Sequence, residues 1–73
     1  MLLRKDVLQD ELRQVGYDLV EGERQLAEQE ALLVAHRQEN KDVSKLEAAL
    51  EQMRKDQRLR EQDRQRLLSL MQP

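Results

Sequence analysis

Between Leu8 and Val43 the apolar residues recur at alternating intervals of four and three. A repeat that averages 3.5 residues keeps its apolar stripe against a neighbour only if two helices wind around each other. A lone helix would leave the stripe in water, at roughly 25 cal/mol for each Å² of apolar surface. With Leu12 at heptad position a, the a and d positions are Leu8, Leu12, Val15, Leu19, Gly22, Leu26, Gln29, Leu33, His36, Asn40 and Val43.

The heptad register changes near residues 40–46. A second register, shifted by three residues, explains the rest of the chain better than the first one does. Its positions are Val43, Leu46, Leu50, Met53, Gln57, Arg60, Arg64, Leu67 and Met71. We therefore predict a dimer interface between helices. It consists of the a and d residues of the first register together with Leu46, Leu50, Met53, Leu67 and Met71.

Two structures could produce this register break. A three-residue shift in a continuous helix is absorbed by local overwinding of the coiled coil. Alternatively Asn40 ends one helix and Ser44-Lys45-Leu46-Glu47 starts the next as a capping box. The fold prediction is all-α: residues 1–73 form a single long helix that pairs as a coiled-coil dimer. The alternative is an antiparallel helical hairpin with a turn near 40–44.

The orientation of the helices is indicated by polar residues. Asn40 at an a position favours a parallel, in-register dimer, because its amide can hydrogen-bond to its symmetry mate. Residues 1–36 carry four Lys/Arg and eight Asp/Glu, whereas residues 37–73 carry nine and seven, and this asymmetry favours antiparallel packing. We predict a parallel homodimer and keep antiparallel pairing open. Gly22 removes a core layer, which indicates a locally softened coil or, alternatively, a close backbone approach or a bend at that point.

Composition limits the other possibilities. The chain has 73 residues with no Phe, Trp or Cys and one Tyr, and 38% of its residues are charged. A compact core, a disulfide framework and a thiolate metal site are therefore not expected. The longest apolar run, Ala31 to Ala35, is too short for a membrane span, and the first five residues do not resemble a secretory signal. We expect a cytoplasmic protein.

Candidate chemistry is sparse. The only histidine, His36, lies at a d position, and one histidine per helix cannot supply the four donors of a zinc site. The basic segment 54–66 contains three acidic residues and no aromatic residue, which argues against nucleic-acid binding. No nucleophile set or glycine-rich phosphate loop occurs. We therefore expect no enzymatic activity, cofactor, metal or small-molecule substrate.

The Glu/Gln/Arg/Leu composition and the imperfect heptads resemble the rods of large centrosomal, Golgi-tethering and cytoskeletal scaffold proteins. The resemblance implies a structural module that self-associates to space or tether parts of a scaffold. It also implies a cytoplasmic location, with the cytoskeleton and the centrosome as candidate sites. Two alternatives stay open. The chain could be an adaptor that binds a partner helix through the underpacked segment from Gly22 to Asn40 or through the charged segment near Arg60 and Arg64. It could also be a hairpin that assembles into a helical bundle.

Overall fold

The computed structural model describes residues 4–72 of the chain. Helix α1 spans Lys5–Gln38 and helix α2 spans Ser44–Met71, and the two lie antiparallel along one another. The hairpin is 57 Å long and 15 Å across. Residues 1–3, on which part of the expectation about a secretory signal rests, lie outside the described residues.

Helix α1 ends because Asn40 takes up the left-handed backbone conformation, with φ at 58°. The Lys41 N–H donates to the His36 carbonyl (3.0 Å) and the Asn40 N–H donates to the Arg37 carbonyl (3.1 Å). This bond pattern is a Schellman motif, which satisfies carbonyl groups that the helix end would otherwise leave free. Asparagine is, after glycine, the residue that best tolerates this conformation. Asn40 therefore ends α1, as the hairpin alternative predicts.

The predicted capping box at the start of α2 is wrong. Ser44 is already the first helical residue, and the preceding Val43 makes no side-chain capping bond. The Ser44 N–H and hydroxyl both donate to the Asp42 carboxylate, at 3.0 and 2.7 Å. The Glu47 carboxylate instead lies 3.5 Å from the Arg37 guanidinium on α1. The physical reason is that Asp42 stands two residues before Ser44, where an aspartate accepts bonds from the backbone ahead of it.

The structure fits the hairpin alternative, whereas a continuous helix and its pairing as a coiled-coil dimer are not confirmed. The turn at 39–43 folds the second heptad register back onto the first. Asn40 is exposed and stands outside both helices, so in this conformation its amide does not occupy a helix–helix interface. In the hairpin Asn40 is used to end α1, and its expected role in orienting a parallel dimer stays a prediction.

The core of the hairpin is divided along its length. At the open end, where α1 begins and α2 ends, Leu8, Val15 and Leu67 form a buried cluster, with Leu12 and Met71 packed against it. Near the loop end Leu33 and Leu50 are buried. Between these two apolar parts the buried residues are Gly22 and Gln57. Over residues 4–72, neither helix carries a stretch long and apolar enough to cross a membrane.

Candidate interaction surfaces

Two ion pairs between the helices show how α1 and α2 are aligned. The Arg37 guanidinium lies 3.5 Å from the Glu47 carboxylate, and the Arg54 guanidinium lies 3.5 Å from the Glu30 carboxylate. All four side chains are about half exposed, so each pair stabilises the hairpin by no more than about 1 kcal/mol. The two pairs show which residues of α1 and α2 lie opposite each other.

The predicted interface residues lie along the contact between α1 and α2, which we call the seam. All of them except Asn40 are buried or half-buried. The buried ones are Leu8, Val15, Gly22, Leu33, Leu50 and Leu67, and the half-buried ones are Leu12, Leu19, Leu26, Gln29, His36, Val43, Leu46, Met53 and Met71. In the hairpin the apolar edge of each helix is thus covered by the other helix of the same chain.

A buried glutamine occupies the polar middle of the seam. The side-chain amide of Gln57 donates to the Leu19 carbonyl (3.0 Å) and to the Glu23 carboxylate (3.3 Å). Its oxygen accepts a bond from Arg60 Nη1 at 2.9 Å. Both ends of the amide therefore have partners, which removes the penalty for burying it. The sequence prediction placed Gln57 on the seam but did not recognise this role.

Gly22 makes the room that Gln57 occupies. A β-carbon at Gly22 would lie 2.5 Å from Gln57 Cδ and 2.9 Å from Arg60 Nη1, so the ends of both side chains would have to move to make room for it. Of the interpretations of Gly22, the structure shows a close approach, but the approaching group is the Gln57 side chain and not a backbone. The sequence did carry a signal for this contact: Gly22 lies at a d position of the first register, and Gln57 lies at an a position of the second.

A second apolar stripe runs along the side of α1 that faces away from α2. We call it the outer stripe, and it consists of Tyr17, Val20, Ala27, Ala31 and Val34. Val20, Tyr17 and Val34 are 71%, 66% and 52% exposed. With Arg24 included, these positions again alternate at intervals of three and four, as a coiled-coil face does. The sequence prediction missed this stripe because Arg24 interrupts it and two of its members are small.

Glutamates line both sides of the outer stripe: Glu21 and Glu28 on one side, Glu23 and Glu30 on the other. Arg24, within the stripe, bonds to both Glu21 and Glu28. These contacts hold the pKa of Glu21 below its usual range, mainly through the hydrogen bond from Arg24, and raise the pKa of Arg24 further. Four carboxylates against the two guanidinium groups of Arg24 and Arg54 leave the surroundings of the stripe negative.

A shallow groove of about 380 Å³ opens beside the outer stripe, toward the open end of the hairpin. It is lined by Leu12, Gly16, Leu19, Val20, Arg64 and Leu68. Val20 belongs to both the groove and the stripe, so the two form one continuous apolar surface. Nothing lies within 4 Å of the position of a β-carbon at Gly16, which leaves the middle of this groove open.

Among residues 4–72 no three His, Cys, Asp or Glu side chains come together in a way that could hold a metal ion. His36 is half-buried on the seam. No family model, curated protein or solved structure matches this chain.

Proposed function

We propose that this chain is a protein–protein interaction module that binds a helix of a partner protein on the outer stripe of α1. The observation that carries the proposal is a second set of apolar side chains at heptad spacing that no part of the described chain covers. The seam uses the first apolar edge of α1 inside the hairpin. The outer stripe is the edge that remains for a partner.

The spacing of the stripe matches a helix as the bound element. Intervals of three and four place the side chains along one side of α1, where a second helix can pack its own apolar edge between them. Ala27 and Ala31 allow the backbones to approach closely in the middle of the contact. Tyr17, Val20 and Val34 supply the larger apolar surfaces and are 52–71% exposed. Full burial of an exposed valine is worth about 1.5–3 kcal/mol, so each of these partly covered valines contributes less than that before the costs of association.

The glutamates beside the stripe indicate the charge of the partner. A partner helix with Lys or Arg flanking its apolar edge would meet Glu21, Glu23, Glu28 and Glu30, whereas an acidic helix would be repelled. The hairpin itself uses this complementarity, because Glu30 already lies near Arg54 of the more basic α2. We therefore propose a basic amphipathic helix as the partner.

This proposal keeps the interaction role expected from the sequence and assigns it to the hairpin alternative. A tethering role within a longer scaffold, a parallel homodimer and a cytoplasmic location at the cytoskeleton or centrosome stay predictions from the sequence.

Tyr17 offers a direct test. It is the only aromatic residue of the chain and lies within the stripe, so its fluorescence reports on whether the stripe is covered. The probe is a synthetic three-heptad helix without aromatic residues, with Leu and Ala along one edge and Lys beside that edge. We expect saturable binding that changes the Tyr17 emission and weakens as salt concentration rises.

Matched controls distinguish binding at the outer stripe from non-specific hydrophobic binding. The protein variant Val20→Ser with Val34→Ser is expected to lose binding, whereas Leu59→Ser, which removes an equally exposed residue from α2, is expected to keep it. A probe with Glu in place of Lys is expected not to bind. If the acidic probe bound as well as the basic one, or if the stripe variant bound normally, the proposal would be wrong.

A further inference from the structure

We propose that two copies of this chain exchange helices through the seam. In the exchanged form the loop opens, α1 and α2 join into one continuous helix, and two such helices pair antiparallel. The α1 segment of each chain then packs on the α2 segment of the other. This inference concerns the seam and does not depend on the binding proposed for the outer stripe.

The register of the hairpin allows this exchange to keep the contacts between α1 and α2, and only the two loop segments would meet anew at the axis. Arg37 is opposite Glu47, Glu30 is opposite Arg54, and Gly22 lies against the side chains of Gln57 and Arg60. The two ion pairs are centred on Asp42 and the contacts of Gly22 are centred slightly earlier in the chain, so the middle of the seam falls at a point within the loop. A two-fold axis placed at that point would rebuild each seam contact between two chains, so that every contact made once in the hairpin is made twice in the dimer.

The loop is built of residues that can also be helical. Segment 39–43 contains neither glycine nor proline. Its backbone is held by the bonds of the Schellman motif and by the turn at Asp42, and a helix through the loop would give the same groups helical partners. In a continuous helix the seam would run His36, Asn40, Val43 and Leu46, at intervals of four, three and three. Coiled coils absorb such a shift by local overwinding.

Asn40 decides the balance between the two forms. The hairpin requires a left-handed residue at this position, and the continuous helix requires a right-handed one. The hairpin consists of one chain and the exchanged form of two, so dilution favours the hairpin and concentration favours the exchange. The exchanged form would be a rod of about 100 Å, from 1.5 Å per residue over α1, the loop and α2, against 57 Å for the hairpin.

Two substitutions at one position test the proposal. Asn40→Gly accepts the left-handed conformation at no steric cost and disfavours a helix through the loop, so we expect it to remain a monomer of 8.7 kDa. Asn40→Ala disfavours the hairpin by about tenfold per chain, so the dimerisation constant is expected to rise on the order of a hundredfold. Sedimentation gives the mass, small-angle scattering gives the length, and circular dichroism reports the helix content.

Cross-linking identifies which chains contribute the two helices. The natural chain has no cysteine, so Glu30→Cys with Arg54→Cys introduces one reactive thiol on each side of the seam. A short bismaleimide is expected to link the two thiols within one chain in the Asn40→Gly background. In the concentrated Asn40→Ala background it is expected to link two chains.

Other outcomes overturn the exchange. An Asn40→Ala chain that stays monomeric at every concentration, helical or not, contradicts it. So does a dimer no longer than the hairpin, which would be two intact hairpins packed side by side. Either result leaves the binding of the basic probe to the outer stripe untouched, because that measurement uses a different surface.

Discussion

The side-chain amide of Gln57 on α2 lies in the space that a β-carbon on Gly22 of α1 would fill. The two residues together complete one layer of the seam. Sliding α2 by one heptad would move Gln57 away from Gly22 and place it near Val15 in one direction or near Gln29 in the other, away from its present partners. A buried amide that loses its partners costs about 1–3 kcal/mol. The pair therefore specifies one alignment of the helices in a region that contributes little apolar burial.

The two glycines of α1 are expected to respond in opposite ways to alanine. In an exposed helix position Gly→Ala stabilises by about 1 kcal/mol, and Gly16 has open space at its β-carbon. We expect Gly16→Ala to raise the free energy of unfolding by about this amount. Gly22→Ala forces Gln57 from its three hydrogen bonds, so we expect a net loss of about 1 kcal/mol or more. Urea unfolding followed by circular dichroism measures both changes.

A double substitution tests the cause of that difference. In a Gln57→Ala background the Gln57 side chain no longer fills the site, so Gly22→Ala is expected to cost much less there than in the natural chain. The resulting coupling energy between the two positions isolates their contact. If Gly22→Ala were equally harmful without Gln57, the close approach of the two residues would not explain the effect.

Leu67 is expected to be the most sensitive apolar residue of α2. It is 2% exposed and completes the cluster with Leu8 and Val15 at the open end. Leu67→Ala is expected to cost about 2–5 kcal/mol, enough to unfold most of so small a hairpin at 25 °C. Leu59→Ala serves as the control, because Leu59 is 62% exposed and its loss is expected to change stability by less than about 0.5 kcal/mol. Equal losses of helical signal would contradict the described core.

The seam could be predicted from the sequence because the buried residues follow a strict period. Leu8, Val15 and Leu33 fall on the first register, and Leu50 and Leu67 fall on the second. The change between the registers also falls where the chain turns. Period alone locates these residues, since a helix brings every third or fourth side chain to one edge regardless of what covers that edge.

The topology could not be predicted, because a hairpin and a pair of long helices bury the same edge. The one local signal was Asn40, and an asparagine in a heptad suits both a buried a position and a left-handed helix end. The start of α2 was misjudged for a similar reason. Ser44 and Glu47 have capping-box spacing, but Asp42 stands close enough to accept the bonds of Ser44 instead.

The outer stripe could have been predicted from the sequence, but the sequence analysis missed it. Val20, Ala27 and Val34 recur at intervals of seven, but the stronger leucine pattern of the seam dominates the same segment. Arg24 also looks like a solvated residue until its bonds to Glu21 and Glu28 are known. Side-chain pairing of this kind depends on rotamers, which the order of residues does not specify.

Protonation of Asp42 at acidic pH is expected to destabilise the turn. Hydrogen bonds from the Ser44 backbone N–H and, second, from its hydroxyl hold the pKa of Asp42 below its usual range. A carboxyl group whose pKa is lower in the folded chain than in the unfolded chain stabilises the fold above the unfolded pKa, near 4, and loses that contribution as pH falls through the folded pKa. Stability linked to Asp42 is therefore present at neutral pH and lost in acid.

Asp42→Asn separates this effect from the titration of the other carboxylates. The amide oxygen still accepts the bonds from Ser44 but carries no charge to titrate, so the variant is expected to lose less thermal stability than the natural chain between neutral pH and pH of about 2. Ser44→Ala removes the hydroxyl donor and keeps the backbone donor, and is expected to fall between the two. Melting followed by circular dichroism at both pH values measures the losses. Identical losses in all three chains would show that Asp42 does not couple the turn to pH.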